Sequence, residues 1–255
     1  MDESPYASSF DDPRVTARVC RRLDGRGGDL ILVGVVHDHP ASVARVRAVL
    51  EAADPDVLAL ELPSAALPLY RAYARDVDDD AERDDPPPRF GGEMSAAIRA
   101  APEADLVGID APNWSFLRRL LTRLVADRAP PATARRVLSS LGGATREALT
   151  CRVAATLTHA TSMTVTLDDP IDYGCDHADT PERQAEHEHA HVAAVRALLA
   201  NADSSALSYR DETRERCMIE RLEALRDRPG DVVAVVGLDH LAALEAGLTG
   251  SEPES

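Results

Sequence analysis

Residues 30–62 read LILVGVVHDHPASVARVRAVLEAADPDVLALEL. Two near-continuous apolar runs, Leu30–Val36 and Val57–Leu62, enclose a segment in which Val43, Val46, Val49 and Leu50 recur at helical spacing. Apolar runs without polar alternation suit strands buried on both faces of a parallel sheet. Ser42 is a helix-capping residue type, and Pro55 lies where the helix should stop. The spacing predicts a βαβ unit with Ser42 as its cap.

Outward from this unit, Asp105–Ile109 and Val232–Val236 repeat the strand pattern. Helical patterns cover Glu93–Ala101, Trp114 to about Met163 with breaks at Pro130-Pro131 and Gly142-Gly143, Pro181–Asn201, Arg210–Arg226 and Leu241–Leu248. Together they predict an α/β fold, a central, mostly parallel β-sheet with flanking helices and a helical insertion between the third and last strands, about residues 114–227. Residues 76–91, DVDDDAERDDPPPRFG, read as an exposed loop. Residues 1–14 and the closing SEPES read as frayed tails, leaving 15–250 as one domain.

The 255 residues include 28 basic and 44 acidic side chains, a net charge of −16, and every basic one is Arg. A chain this negative is repelled by nucleic-acid backbones and anionic membrane surfaces, so neither is the expected partner. So many carboxylates with 4% aromatics predict a halophilic protein, whose self-repulsion is screened by concentrated salt. The longest apolar run is too short for a bilayer and follows Asp29, so the expected setting is cytoplasmic, without a membrane span. Cys20, Cys151, Cys175 and Cys217 form no C-x-x-C pair; they read as reduced and structural.

Candidate chemistry lies at the strand ends. Gly34-Val35-Val36-His37 and Gly237-Leu238-Asp239-His240 share one shape, and parallel strands bring their carboxyl ends to one edge, so the two imidazoles can converge. Each Gly would allow a tight turn or a close ligand approach. Glu61 ends the second run and needs a partner or a shifted pKa in so apolar a setting; Asp110 ends the third. Each carboxylate has a second reading as a helix N-cap after its strand. A rival motif is His187-Glu188-His189-Ala190-His191, which satisfies H-E-x-x-H on a helix, with Glu212 or Glu215 as a third zinc ligand. Its competing reading is a solvated helix face outside the strand-end cleft, with Glu188 near the buried side only at the helix's solvated start.

Several of these residues also fall in the order of a known family. Gly34–His37, Ser42-Val43, Pro55-Asp56 and Glu61-Leu62, then Gly92-Glu93-Met94 with Ala96-Ala97-Ile98, then Arg214-Glu215 with Met218, and finally Val235–Leu241 resemble the motifs of the TraB/PrgY family, related to GumN and the Tiki proteases. The likeness spans residues 29 to 248. It implies the fold shared by Tiki, ChaN and erythromycin-esterase proteins, with both histidines and Glu61 in one cleft. Tiki relatives are regarded as divalent-metal-dependent peptidases, PrgY relatives limit peptide pheromone activity, and the esterases hydrolyse without metal. Ala111 stands where the family pattern has Arg.

The resemblance implies a metal-dependent hydrolase of a peptide or small-molecule substrate. His37, Glu61 and His240 would hold a divalent ion, Mn, Co or Zn, with Glu93 as general base or fourth ligand. Arg214 would stabilise the oxyanion, and Asp110 would join the catalytic group. Two alternatives stand beside this. One is a non-catalytic binder of a peptide or regulatory ligand, favoured by Ala111 because a lost oxyanion donor costs on the order of 10²–10³ in rate. The other is an esterase-like enzyme without metal, in which Glu61 orients His37 as general base.

Overall fold

The structure, a computed structural model, describes residues 6–25, 27–76, 90–110, 171–199 and 205–250. Among them a five-stranded sheet runs through the centre, in the spatial order β1-β2-β5-β3-β4. The strands are β1 (Cys20–Leu23), β2 (Leu30–Val35), β3 (Val57–Leu60), β4 (Asp105–Gly108) and β5 (Val232–Gly237). Four are mutually parallel, and β1 pairs antiparallel with β2 at one edge. The α/β architecture expected from the apolar runs is therefore present, with strand ends one or two residues from the expected ones. β1 escaped the pattern because Cys-Arg-Arg-Leu buries only its two ends.

Period-two alternation divides the buried strands between two cores. Ile31, Val33, Val35, Leu58, Leu60, Val233 and Val235 face one side. There they meet Val46, Val49 and Leu50 of α1 (Pro40–Ala53) and Met94 and Ala97 of α3 (Gly92–Ala100). Leu30, Leu32, Val57, Ala59, Val232, Ala234 and Val236 face the other, against Met218, Leu222 and Leu225 of α5 (Ser205–Arg226) and Leu241, Leu244 and Leu248 of α6 (Leu238–Thr249). Residues buried on both faces need no polar alternation, which is why these strands read as unbroken apolar runs. Helix α2 (Leu67–Arg75), unmarked in the sequence reading, lies beside α3, and α4 (Pro181–Leu199) lies against α1.

Several local expectations are corrected. The cap of α1 is His39, whose Nδ1 accepts from the Ala41 N–H at 3.1 Å, with Pro40 in the first helical turn. Ser42 instead accepts from the Val36 N–H at 2.8 Å. Gly34 makes no turn; it lies inside β2, where a Cβ would come within 2.8 Å of Leu238 and 3.0 Å of Leu241 in α6. Residues 6–14, expected to fray, are packed: Tyr6 and Phe10 meet edge to face, and Arg14 donates to Gln184 of α4 at 2.9 Å. The helical excursion over 114–163 and most of the acidic loop 76–91 lie outside the described residues, as do Cys151 and Ala111. Among the described residues, Cys20, Cys175 and Cys217 form no disulfide with one another. No helix among the described residues is long and apolar enough to cross a membrane.

Candidate functional site

Because β2, β5, β3 and β4 are parallel neighbours, their carboxyl ends present His37, His240, Glu61 and Asp110 in that order along one edge. Glu61 sits near the middle and is buried. Its Oε2 accepts from the Gly237 N–H at 2.6 Å and its Oε1 from Arg214 Nη2 at 2.7 Å. Arg214, projecting from α5, also clasps Asp110 with Nε to Oδ1 and Nη2 to Oδ2, both at 2.9 Å. Burial alone would lower the Arg214 pKa, but Asp110 and Glu61 reverse this and hold the guanidinium charged. Arg221, two turns along α5, donates to the Asp110 carbonyl at 2.7 Å.

His240, in the first turn of α6, places Nε2 3.5 Å from Glu61 Oε1 and Nδ1 2.9 Å from Glu215 Oε1. Burial pulls its pKa down, and the hydrogen bond to Glu215 with the charge of Glu61 outweighs that, so the net shift is upward. Glu215, read in the sequence as a family-motif residue and as a zinc ligand for the H-E-x-x-H helix, is thus the partner of a different histidine. Gly237 has a reason at this point: a Cβ there would come within 3.3 Å of Glu61 Oε2.

At the other end of the row, His37 Nδ1 lies 2.6 Å from Glu93 Oε1, while Glu93 Oε2 accepts from the Asp38 N–H at 2.8 Å. Glu93 is 1% exposed. The His37 side chain is 62% exposed, so a buried carboxylate backs an imidazole that faces solvent. The hydrogen bond to Glu93 is the main reason that the His37 pKa rises to about 9. The chain is contorted to make this pair. Asp38 takes a positive φ of 57°, and Gly92, with φ 44°, approaches so closely that a Cβ would lie 2.1 Å from Asp38 Oδ1. Only Gly at that position lets α3 deliver Glu93 to the strand end.

All six residues singled out as site candidates, His37, Glu61, Glu93, Asp110, Arg214 and His240, therefore stand along this one edge. No family model, curated protein or solved structure matches the chain.

Two assigned roles do not suit the geometry. Glu93 has both oxygens engaged and is buried, which makes it the group that orients His37 rather than a base that meets substrate. A shared ion on His37, Glu61 and His240 does not fit the residues as they stand. Both oxygens of Glu61 are taken, one by a guanidinium, and His240 faces a carboxylate through each nitrogen. Among the described residues, the group whose ligand atoms all lie within 4.8 Å of one another is His39, Cys175 and His187, a set of residue types and spacing that could hold a metal ion.

The H-E-x-x-H segment of α4 meets the start of α1, beside the strand end that carries His37. His187 Nδ1 lies 3.0 Å from Nε2 of His39, two residues past His37, and His191 meets the Tyr173 ring edge to face at 5.0 Å. Tyr173 in turn donates its hydroxyl to the His37 carbonyl at 2.6 Å. Glu188 is buried, paired with Arg45 and accepting from Ser42 Oγ at 2.5 Å, so it is not a zincin base. The Asp38-His39-Pro40 triplet held the missed signal: Pro in a first helical turn makes the residue before it a cap, fixed in place.

Proposed function

We propose that this protein is a hydrolase of an ester or amide bond in which His37 moves the proton and water is the nucleophile. The observation that carries the reading is the His37–Glu93 pair, an exposed imidazole whose Nδ1 is held at 2.6 Å by a buried carboxylate. A histidine oriented in this way keeps Nε2 for substrate. In the reaction, Nε2 takes a proton from water as the oxygen attacks the carbonyl carbon. The same proton then passes to the leaving oxygen or nitrogen as its bond to that carbon breaks. Glu93 fixes the ring and stabilises the imidazolium formed between the two steps. Arg214 is matched by the charges of Asp110 and Glu61, so its part is to hold the strand ends of this edge in place rather than to stabilise the oxyanion. The resemblance to the TraB/PrgY and esterase relatives supports a hydrolytic use of this edge.

Panels of esters and peptides assayed in concentrated salt, with and without chelator, test this. Turnover should survive the chelator and fall by roughly 10²–10⁴ in His37→Gln, the usual worth of a general base. Capture of a ligand without product would favour the binding protein instead. Activity lost to chelator and restored by added metal would replace this mechanism with the metal-assisted one.

A further inference from the structure

The proton-transfer cluster leaves His39, Cys175 and His187 unused. They come from three separate parts of the chain: the cap of α1, the segment 171–180 before α4, and α4 itself. His39 is fully buried, and Cys175 and His187 are half-buried. Tetrahedral zinc, with bonds of about 2.0–2.1 Å to nitrogen and 2.3 Å to sulfur, sets its ligand atoms roughly 3.3–3.6 Å apart. His39 Nε2 and His187 Nδ1 are 3.0 Å apart, so the rings need to part by only a few tenths of an ångström.

We propose that His39 Nε2, His187 Nδ1 and Cys175 Sγ bind one zinc-class divalent ion, with water in the fourth position. Two imidazoles and a thiolate select a borderline-soft ion over magnesium or calcium. Without the ion, the Ala41 N–H occupies His39 Nδ1, so the ring proton belongs on Nε2, shared with His187. Binding moves that proton to Nδ1, which must turn away from the Ala41 N–H; Glu188 Oε1, the nearby carboxylate oxygen, is 4.0 Å away and comes within hydrogen-bond reach only if the ring shifts, and the thiol proton is released to solvent. One capping hydrogen bond is exchanged for three metal–ligand bonds. The ion would pin segment 171–180, whose Tyr173 holds the His37 carbonyl, to the start of α1. Its role would be to position the strand end that carries His37.

The test is metal binding by the full chain, stripped with chelator and titrated with Zn(II) and Co(II) in concentrated salt. One equivalent should bind, and Co(II) should give a thiolate-to-cobalt charge-transfer band. Cys175→Ser should abolish that band, and both Cys175→Ser and His187→Gln should weaken zinc binding by more than the roughly 10–100-fold that an outer-shell loss costs. His37→Gln and His240→Gln should leave the affinity unchanged. His39 is omitted because its loss also removes the α1 cap. Lack of stoichiometric binding, binding unaffected by Cys175→Ser, or binding abolished by His37→Gln or His240→Gln would overturn the proposal. The readout is the metal itself, so failure of the hydrolase reading leaves it standing.

Discussion

Arg214 and Asp110 meet through two parallel hydrogen bonds of 2.9 Å, and the same guanidinium reaches Glu61 at 2.7 Å. One cation from α5 thereby ties together the ends of β3 and β4. The planar fork is what makes this possible, since an ammonium cannot match a carboxylate with two parallel donors.

Replacing Arg214 with Met should therefore remove the counter-charge that Glu61 and Asp110 share, at a cost of about 3–5 kcal/mol, the usual range for breaking one side of a buried pair. Arg214→Lys should fall between Met and wild type. Urea unfolding midpoints in concentrated salt measure both. Equal stability of all three proteins would mean that the guanidinium contributes nothing beyond packing.

Arg45 and Glu188 form another buried pair, with side chains only 1% and 5% exposed. Arg45 also donates to the Gly34 carbonyl at 2.7 Å and to the Arg14 carbonyl at 2.6 Å, so it fixes α4 and the N-terminal segment to α1 and β2. Glu188→Gln should destabilise by about 3–5 kcal/mol, while Arg45→Met with Glu188→Leu should recover much of the loss because no charge is left buried. Thermal or denaturant unfolding of the two variants decides it. A fully stable Glu188→Gln protein with lost metal-dependent hydrolysis would revive the zincin reading.

The His37–Glu93 pair gives a pH signature with a definite sign. The folded protein holds the His37 imidazolium up to about pH 9, above the ordinary value near 6.5. Stability from this pair is therefore fully present below about pH 6.5 and is lost as the pH rises through about 9. With His37 62% exposed, solvent screens the pair and keeps its energetic weight small. The clearer measurement is the His37 proton titration by NMR. Glu93→Gln should bring its midpoint down toward the ordinary range. If hydrolysis is found, the rising limb of its rate should move down with it. A midpoint unmoved by Glu93→Gln would show that the hydrogen bond is not its cause.

The apolar runs at residues 30–36, 57–62 and 232–236 determined the centre of the parallel sheet, because strands buried on both faces need no polar alternation, and 105–109 added a half-buried edge strand. Parallel strands then determined that His37, Glu61, Asp110 and His240 would share an edge, since the carboxyl ends of such strands lie together whatever their separation in the chain. Pairing was another matter. That Glu93 takes His37, Glu215 takes His240 and Arg214 bridges Glu61 to Asp110 depends on where α3 and α5 pack, and side-chain partners across 25 to 153 positions leave no spacing to read. The same holds for His39, Cys175 and His187, and for Glu188, which turned from a candidate base into the counter-charge of Arg45. Local propensity specifies which residues enter the sheet, and only the docking of helices on it decides which charges meet.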